Sequence, residues 1–505
     1  MRRFLIILAA LSLLSPWLAG GATRNTGTQK LVTEYSRKEP LRSGIFGILA
    51  VRGSDTLAQY NRRLKMVPAS NVKLITTGLA LKHFGSSWRF STTLAYSGSI
   101  RDGVLYGDLY IVGGGDPTLG ARSSCADSLR KTFSAWKAML DEAGIKCIQG
   151  RIIGDGRFFK RPTHGMSWQA EDLGYNYGAG PSGLNFFENA QQFTVRPSTE
   201  GKAPLVTPLY PDTPWMSYVN SAVTGAAKSG NSLYFINSEY APVGEFQGSF
   251  PSDRKSYKLE CSNYFGAYTC AYYYYRYLTG CGIPVSGGYA DVSPLGLIRT
   301  DLLYSDIGPA AVSSDKLTPL GKGWSPTLRK IVHDTNYESD NFYAETLFKM
   351  MAVSLYGSSG QELGEKAVYQ LLAEMGLKTD GACQLMDGSG LSRKDYVSPE
   401  FFVRFLRKMF ASAEKDAYLA SLPSPGSKST LQNRLPNAAD DVKERIKMKS
   451  GSMNGVRSFS GYILSADGND SKTICFSIIS NNITAPTYKV AAIIDEIIES
   501  LALEP

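Results

Sequence analysis

A long stretch of short strands and frequent turns, from about Phe90 to Val312, most constrains what this 505-residue chain can fold into. Before it, Gly44 to Arg52 and Thr56 to Tyr60 are typical of a hairpin. After it, helical patterning returns at Pro326 to Asp334 and at Asn341 to Leu355. The pattern predicts a mixed α/β (α+β) domain of sheet and helices that is interrupted by a long β-rich insert.

Further elements are predicted on both sides of this stretch and within it. Pro68-Ala69-Ser70 opens a helix that ends at Gly85, and Cys125 to Gly144 predicts a helix inside the insert. The four tyrosines from Tyr272 to Tyr275 are interpreted as packing residues, since strand alternation would bury half of them. A carbohydrate platform is the alternative. The C-terminal part adds helices at Pro399 to Ser412 and Tyr488 to Leu503, and strands at Glu444 to Lys449, Val456 to Ser465 and Thr473 to Ser480.

The N-terminus has the three regions of a secretory signal peptide. Met1-Arg2-Arg3 is basic, Phe4 to Ala19 is largely apolar, and small residues continue to Ala22. The apolar run is shorter than the ~20 residues that span a membrane comfortably, although an uncleaved anchor remains an alternative. We assign residues 1–22 to a signal peptide and expect an exported, periplasmic or extracytoplasmic protein.

The net charge suggests anionic surroundings. The formal charge is +9 and falls to +7 without Arg2 and Arg3. For an exported protein, the anionic neighbours would be cell-wall polymers or phospholipid headgroups. No basic run with interleaved aromatic residues indicates a nucleic acid partner. Simple solubility explains the charge equally well.

The cysteines and histidines do not indicate a metal site. Neither CxxC spacing nor histidines at ligand intervals occur, so we expect no metal and no cofactor. The three histidines lack a GxSxG setting that would favour a Ser-His-Asp triad. In an oxidising compartment, the locally spaced cysteines are candidates for disulfides, with at least one thiol left unpaired. These cysteines form two groups, Cys125 with Cys147 and Cys261 with Cys270 and Cys281.

Three short motifs indicate the chemistry. Ser70 and Lys73 lie three positions apart, which on a helix places the hydroxyl and the amine on one face. A lysine activates a serine only if its amine is neutral, which requires desolvation or a neighbouring cation. Taken alone, the pair also fits a helix cap beside a solvated lysine.

The other two motifs follow later in the chain. Ser339-Asp340-Asn341 precedes a predicted helix, and Lys449-Ser450-Gly451-Ser452 ends a predicted strand before a turn. A strand end of this kind can present a cation and an uncluttered backbone edge to an anionic peptide terminus. In this order, the three motifs match the SxxK, SxN and K[TS]G set of penicillin-recognising serine enzymes.

The spacing narrows the comparison further. Lys73 and Ser339 are 266 positions apart, far more than a compact β-lactamase-like domain needs. With this long insert, the chain resembles the class C low-molecular-mass penicillin-binding proteins, the D-alanyl-D-alanine carboxypeptidase/endopeptidase family. Other segments carry the resemblance as well, among them Tyr106 to Leu109, Gly113 to Pro117, Gly154 to Gly156, Trp168 with Glu171 to Leu173, and Asp387 to Ser392.

The resemblance implies a transpeptidase-like domain with a five-stranded sheet, interrupted by a two-part β-rich insert. We place the catalytic domain at residues 23–95 and 313–505 and the insert at 96–312. One departure is Ser450, where the family usually has Thr. The hydroxyl is kept, but the methyl group that would help fix its rotamer is lost.

The resemblance also assigns roles to residues. Ser70 would be the nucleophile and Lys73 its general base, while Ser339 and Lys449 would carry the proton to the leaving amine. Asn341 would hold the acyl side chain. Lys449 with Ser450 would receive the terminal carboxylate. Backbone N–H groups of Ser70 and Ser452, beside Gly451, would form the oxyanion hole. Asp172 in the insert would meet the amine of the substrate's diamino acid, or be an exposed loop carboxylate.

The resulting prediction is a D,D-carboxypeptidase or D,D-endopeptidase that hydrolyses D-Ala-containing peptide stems of peptidoglycan and is acylated by β-lactams. A β-lactamase or esterase of the same fold is one alternative. A catalytically silent peptidoglycan-binding protein is another, although it would have no need of all the motif residues. Peripheral association with a membrane or the cell wall, and a homodimer, are left open.

Overall fold

The computed structural model describes residues 26–292 and 316–504. The predicted signal peptide lies outside these residues. Within them, no helix is both long and apolar enough to cross a membrane.

An antiparallel five-stranded sheet forms the centre of the first domain. Its strand order is β2-β1-β23-β22-β21, so the chain's first two strands pair with its last three. The predicted hairpin is confirmed. The strands of this sheet are β1 (Ile45–Arg52), β2 (Asp55–Tyr60), β21 (Ile446–Met453), β22 (Val456–Ile463) and β23 (Ile474–Asn481).

Helices cover both faces of this sheet because its strands are apolar on both sides. Phe46, Ile48 and Phe476 pack against the terminal helices α1 and α11, whereas Leu49 and Ile479 face the helices that lie between. The helices of this domain are α1 (Gly27–Tyr35), α2 (Val72–Phe84), α5 (Leu328–Tyr337), α6 (Asn341–Tyr356), α7 (Gln361–Glu374), α8 (Pro399–Phe410), α9 (Lys415–Ala420), α10 (Asp440–Arg445) and α11 (Thr487–Ala502).

The segment predicted as a strand from Glu444 to Lys449 begins instead as the end of helix α10, and β21 starts only at Ile446. Acidic Asp440 and Asp441 lie in the first turn of α10 and basic residues in its last turn. This charge order favours a helix, because it complements the helix dipole. A short β19–β20 pair (Cys383–Gln384 and Tyr396–Val397) completes the domain.

The insert is rich in strands, as predicted, and has two parts. The first is a five-stranded sheet of order β17-β8-β6-β3-β18 with helices α3 and α4, and the second contains small sheets around Phe193 and Phe246. Its elements are β3 (Ser91–Tyr96), β4 (Ser99–Arg101), β5 (Val104–Tyr106), β6 (Leu109–Val112), α3 (Leu129–Glu142), β7 (Cys147–Ile148), β8 (Ile152–Asp155), β9 (Ala190–Arg196), β10 (Leu205–Tyr210), β11 (Ser217–Asn220), β12 (Val223–Gly225), β13 (Tyr234–Asn237), β14 (Val243–Gln247), β15 (Ser249–Pro251), β16 (Tyr257–Ser262), α4 (Gly266–Gly280), β17 (Tyr289–Val292) and β18 (Thr318–Trp324).

The domain boundaries at residues 96 and 312 remain a prediction. Strands β3 and β18 pair with each other inside the insert sheet. This pairing supports boundaries somewhat further out in the chain, near Phe90 and Ser325.

The tyrosine run lies in a helix, not in a strand. Tyr272 to Tyr275 belong to α4, where Tyr274 is fully buried and Tyr273 and Tyr275 are partly buried. Tyr272 is buried as well, so packing is the main role of the run, and burial alternates along these four residues although the element is a helix. A run of identical residues carries no periodicity, so the sequence could not distinguish a helix from a strand at this position.

None of the candidate disulfides is formed. All seven cysteines are free thiols, and all lie within the described residues. Cys261 and Cys270 are buried in the insert cores, where the thiols pack as small apolar groups. The sequence argument relied on local spacing, which does not measure the distance between side chains.

Candidate active site

Ser70 lies on a single helical turn, Ala69–Asn71, that leads into α2. Ala69 has a positive φ of 49°, a conformation that costs a non-glycine residue ~1–3 kcal/mol and is typical of functional sites. Two glycines let neighbouring backbone approach this turn. A Cβ at Gly390 would lie 2.0 Å from the Ala69 oxygen, and a Cβ at Gly451 would lie 2.5 Å from the Pro68 oxygen.

Lys73 lies directly below Ser70 and is fully buried. Its Nζ is 3.1 Å from Ser70 Oγ and donates to Asn341 Oδ1 (2.6 Å) and to the Ser389 carbonyl (2.7 Å). Burial lowers the pKa of Lys73 to about 8, although surrounding carboxylates oppose this shift. About a tenth of the amine is therefore neutral at pH 7, far more than for an ordinary lysine, and a general base must be neutral to accept a proton.

Lys449 is the second buried amine of the site. Its Nζ donates to Ser339 Oγ (2.8 Å) and to the Ser450 carbonyl (2.9 Å). Burial, together with the charge of Lys73, lowers the pKa of Lys449 well below its usual range. Ser339 has a positive φ of 61°, so the second motif, like the first, contains a strained residue. Two amines and two hydroxyls thus converge on one cleft.

Asn341 begins α6 and is engaged on both sides of its amide. Its Oδ1 accepts from Lys73, and its Nδ2 donates to the Tyr177 carbonyl of the insert (2.9 Å). The second Nδ2 hydrogen remains for a substrate carbonyl. The role of Asn341 in holding substrate therefore stays a prediction, while its contact with Lys73 was not anticipated.

The third motif lies on β21, the edge strand of the sheet. Ser450 donates to Thr430 Oγ1 (3.3 Å), so a neighbouring hydroxyl holds the side chain that lacks the usual methyl. Ser452 is exposed, and Arg457 donates to its hydroxyl. An edge strand beside the Ser70 turn offers unpaired backbone groups to an extended peptide.

Asp172 lies in a short helical turn of the insert, Ala170–Asp172, and is partly exposed. Its carboxylate accepts from the Tyr177 hydroxyl (3.2 Å), and burial raises its pKa. The Tyr177 carbonyl contacts Asn341, which places Asp172 on the insert wall next to the site. No direct contact joins Asp172 to Ser70 or Lys73 among the interactions of the described residues.

Sequence reasoning missed a layer of buried carboxyls beneath Lys73. Glu345 accepts from the backbone N–H groups of Gly388 (3.0 Å) and Ser389 (2.8 Å). Burial raises the pKa of Glu345 to about 8. A signal was present, because Glu345 lies four residues after Asn341 and hence on the same helix face.

Two further acids belong to this layer. Asp387 accepts from the N–H groups of Gly390 and Ser392, each at 2.7 Å, and thereby closes the turn that carries Ser389. Asp395 is fully buried, and burial together with the charge of Asp387 raises its pKa well above the usual range.

The arrangement can perform acyl transfer. It combines a partly exposed hydroxyl, a buried amine within hydrogen-bond distance of it, and a second amine–hydroxyl pair that can relay a proton. The structure brings together Ser70, Lys73, Ser339, Asn341 and Lys449 and places Ser450, Gly451 and Ser452 on the adjoining strand.

Comparison with known proteins agrees with this geometry. The D-Ala-D-Ala carboxypeptidase 3 (S13) family matches residues 29–289 and 303–501. A D-alanyl-D-alanine carboxypeptidase of Actinomadura sp. (strain R39) is 28% identical over 492 residues, covering 94% of this chain and 84% of that protein. The D-alanyl-D-alanine carboxypeptidase DacB of Haemophilus influenzae is 24% identical and covers 86% of each chain.

The fold is also found among solved structures. The crystal structure of penicillin binding protein 4 from Haemophilus influenzae has a TM-score of 0.76 at 23% identity, covering 93% of this chain and 98% of that chain. The same protein complexed with a β-lactam has a TM-score of 0.71 at 21% identity, with the same coverage. The predicted mixed α/β fold, including its antiparallel five-stranded sheet, is therefore confirmed.

Proposed function

The chain belongs to the D-Ala-D-Ala carboxypeptidase 3 (S13) family and is a serine-type D-Ala-D-Ala carboxypeptidase, and from this premise we propose that Ser70 is its nucleophile. One observation carries the assignment. The buried Lys73 amine, with its pKa lowered to about 8, lies 3.1 Å from Ser70 Oγ. A second buried amine, Lys449, pairs with the Ser339 hydroxyl over 2.8 Å in the same site, and we assign this pair to proton transfer.

Acylation follows from this pair. Neutral Lys73 takes the proton of Ser70, whose oxygen attacks the carbonyl between two D-Ala units. The carbonyl oxygen becomes an oxyanion, which the backbone N–H groups of Ser70 and Ser452 stabilise by ~3 kcal/mol per donor. When the C–N bond breaks, the proton held by Lys73 passes to the leaving amine through Ser339 and Lys449, whose hydroxyl and amine are 2.8 Å apart, and Lys73 is neutral again.

Deacylation repeats the chemistry with water as the nucleophile. Water gives one proton to neutral Lys73, and its oxygen forms the new bond to the acyl carbon. The bond between Ser70 Oγ and the acyl carbon then breaks, and Lys73 returns the proton to Ser70 Oγ. The net reaction consumes one water and releases free D-Ala and the shortened peptide.

Substrate recognition is assigned to the rim of the site. Lys449 and Ser450 receive the terminal carboxylate, since the edge strand adds both a cation and a hydroxyl. Asn341 holds the acyl side chain through its free N–H. Asp172, on the insert wall, meets the amine of the diamino acid in the peptide stem.

We extend the proposal in three directions. Endopeptidase cleavage is the same reaction with a cross-bridging amine as the leaving group. Acylation by β-lactams uses the same nucleophile, as the complex of the structurally similar Haemophilus influenzae protein suggests. Export to the periplasm or another extracytoplasmic compartment, with peptidoglycan as the partner, follows from the N-terminal sequence and the substrate.

Intact-protein mass after incubation with a fluorescent penicillin tests the nucleophile. We expect a stable adduct on the wild type and none on Ser70→Ala, because the acyl group has no other activated oxygen to bind. An adduct that persists on a folded Ser70→Ala variant would show that Ser70 is not the nucleophile. Rapid turnover of the β-lactam without an adduct would favour a β-lactamase, and no reaction would favour a silent binding protein.

A further inference from the structure

One segment of the insert, residues 163–181, contacts the catalytic domain beside the reacting groups. On α6, Asn341 donates to the Tyr177 carbonyl. Two turns further along the same helix, Lys349 Nζ donates to the carbonyls of Thr163 (2.7 Å) and Pro181 (3.1 Å). One face of α6 therefore holds both ends of the segment.

Trp168 makes the third contact of this segment. Its ring is 8% exposed, and its Nε1 donates to Asp387 Oδ2 over 2.8 Å. The ring packs closely against Gly165, where a Cβ would lie 2.5 Å from Nε1. The indole therefore has a defined position. Its N–H donates a buried, charge-assisted hydrogen bond from the insert to the Asp387 carboxylate of the catalytic domain.

Asp387 connects Trp168 to the turn that contacts Lys73 and the Ser70 turn. Its carboxylate holds the backbone of Gly390 and Ser392, and so shapes the turn that presents the Ser389 carbonyl to Lys73 (2.7 Å). The same turn lies against the Ala69 carbonyl at Gly390. A shift of Asp387 would therefore move both the acceptor of Lys73 and the support of the Ser70 turn.

We propose that Trp168 is a positioning residue, through which the insert fixes the 387–392 turn and with it the geometry of Lys73 and Ser70. This inference rests on the proposed role of Ser70 as nucleophile. It gives the insert a part in catalysis that is separate from substrate binding.

The carboxyls around Lys73 provide a second measurable effect, which is the pH dependence of acylation. Among the carboxyls that favour its ammonium form, Asp387 has the largest effect and Asp395 the smallest. Without the indole donor, Trp168 no longer holds the Asp387 carboxylate in place, and a carboxylate that moves away from Lys73 favours its ammonium form less. The groups that face Lys73 are Asp340, Glu345, Asp387 and Asp395, with Lys449 as the opposing cation.

The test is the rate of acylation by a fluorescent penicillin, measured from pH 6 to about pH 9.5. Trp168→Phe removes the N–H and keeps an aromatic ring. Trp136→Phe is the matched control, because Trp136 is 1% exposed in the insert and its Nε1 has no hydrogen-bond partner among the described residues. We expect Trp168→Phe to acylate roughly tenfold more slowly, since small displacements of reacting groups are costly. The midpoint of its rising pH limb should move to lower pH.

The control should acylate within about twofold of the wild type, with the same midpoint. If Trp168→Phe does not fold, benzothienylalanine at position 168, which replaces only the N–H by sulfur, should show the same two changes. A folded Trp168 variant with wild-type rate and midpoint would overturn the inference and leave the proposed function intact. A wild type that penicillin does not acylate at Ser70 would instead remove the proposed function on which the inference rests.

Discussion

Two buried amines define the site at the scale of residues. Lys73 and Lys449 are both fully buried, and the charge of Lys73 further lowers the pKa of Lys449. Like charges in a poorly solvated site repel each other strongly, so the two amines favour carrying fewer than two protons between them. Because Lys73 and Lys449 favour carrying fewer than two protons between them, one of these amines can accept the proton of Ser70.

The acylation rate should therefore depend on pH through Lys73. Its pKa is lowered to about 8, and only the neutral amine accepts a proton. We expect the acylation rate constant to fall about tenfold per pH unit below this midpoint and to level off above it. Stopped-flow acylation with a fluorescent penicillin measures the profile. A rate that stays constant from pH 6 to about pH 9 would contradict Lys73 as the general base.

Close backbone packing shapes the site at the scale of elements. The turn before α2 meets the 387–392 turn on one side and β21 on the other, and Gly390 and Gly451 make these approaches possible. Gly390 also has a positive φ of 81°. A side chain at either glycine would therefore change the position of the turn that carries Ser70.

Gly390→Ala should disrupt the site through this contact. The new Cβ would lie 2.0 Å from the Ala69 oxygen, so the Ser70 turn must move. We expect acylation to slow by roughly 100-fold, because displacement of a nucleophile by about 1 Å has an effect of this size. The measurement is the acylation rate, with the melting temperature as the check on folding.

Gly144→Ala is the matched control for this prediction. Gly144 has a similar φ of 70°, but a Cβ there would meet no atom within 4 Å. The control should lose ~1 kcal/mol of stability from backbone strain and acylate like the wild type. Equal acylation rates in the two variants would show that the collision with the Ala69 carbonyl does not displace the Ser70 turn.

At the scale of the whole molecule, stability should not depend on disulfides. All seven cysteines are free, and most are buried. We expect a thiol reagent to titrate seven thiols in denaturant without reductant, and the melting temperature to be unchanged by a reductant. Fewer than seven reactive thiols in the unfolded chain would show that the protein contains a disulfide.

Hydrogen bonds also join the insert to the catalytic domain at this scale. Trp168, Tyr177 and the carbonyls bound by Lys349 join the insert to the helix and the turn that hold the reacting groups. None of these contacts could be predicted from spacing, because their partners are far apart in the chain and three of the four acceptors are backbone carbonyls. Their discovery required the positions of both domains.

The sequence by itself determined the reaction class and predicted the candidate catalytic residues. Ser70 with Lys73 is a local pair whose spacing on a helix already places both groups on one face, and the Ser339 and Lys449 motifs complete a known order. The hairpin, the split domain and the β-rich insert followed from periodicity and turn residues, which are also local properties. Only the tertiary structure revealed the buried carboxyl layer, the free cysteines and the hydrogen bond from Trp168 to Asp387. These depend on burial and on long-range distances, and neither quantity is contained in the spacing of residues along the chain.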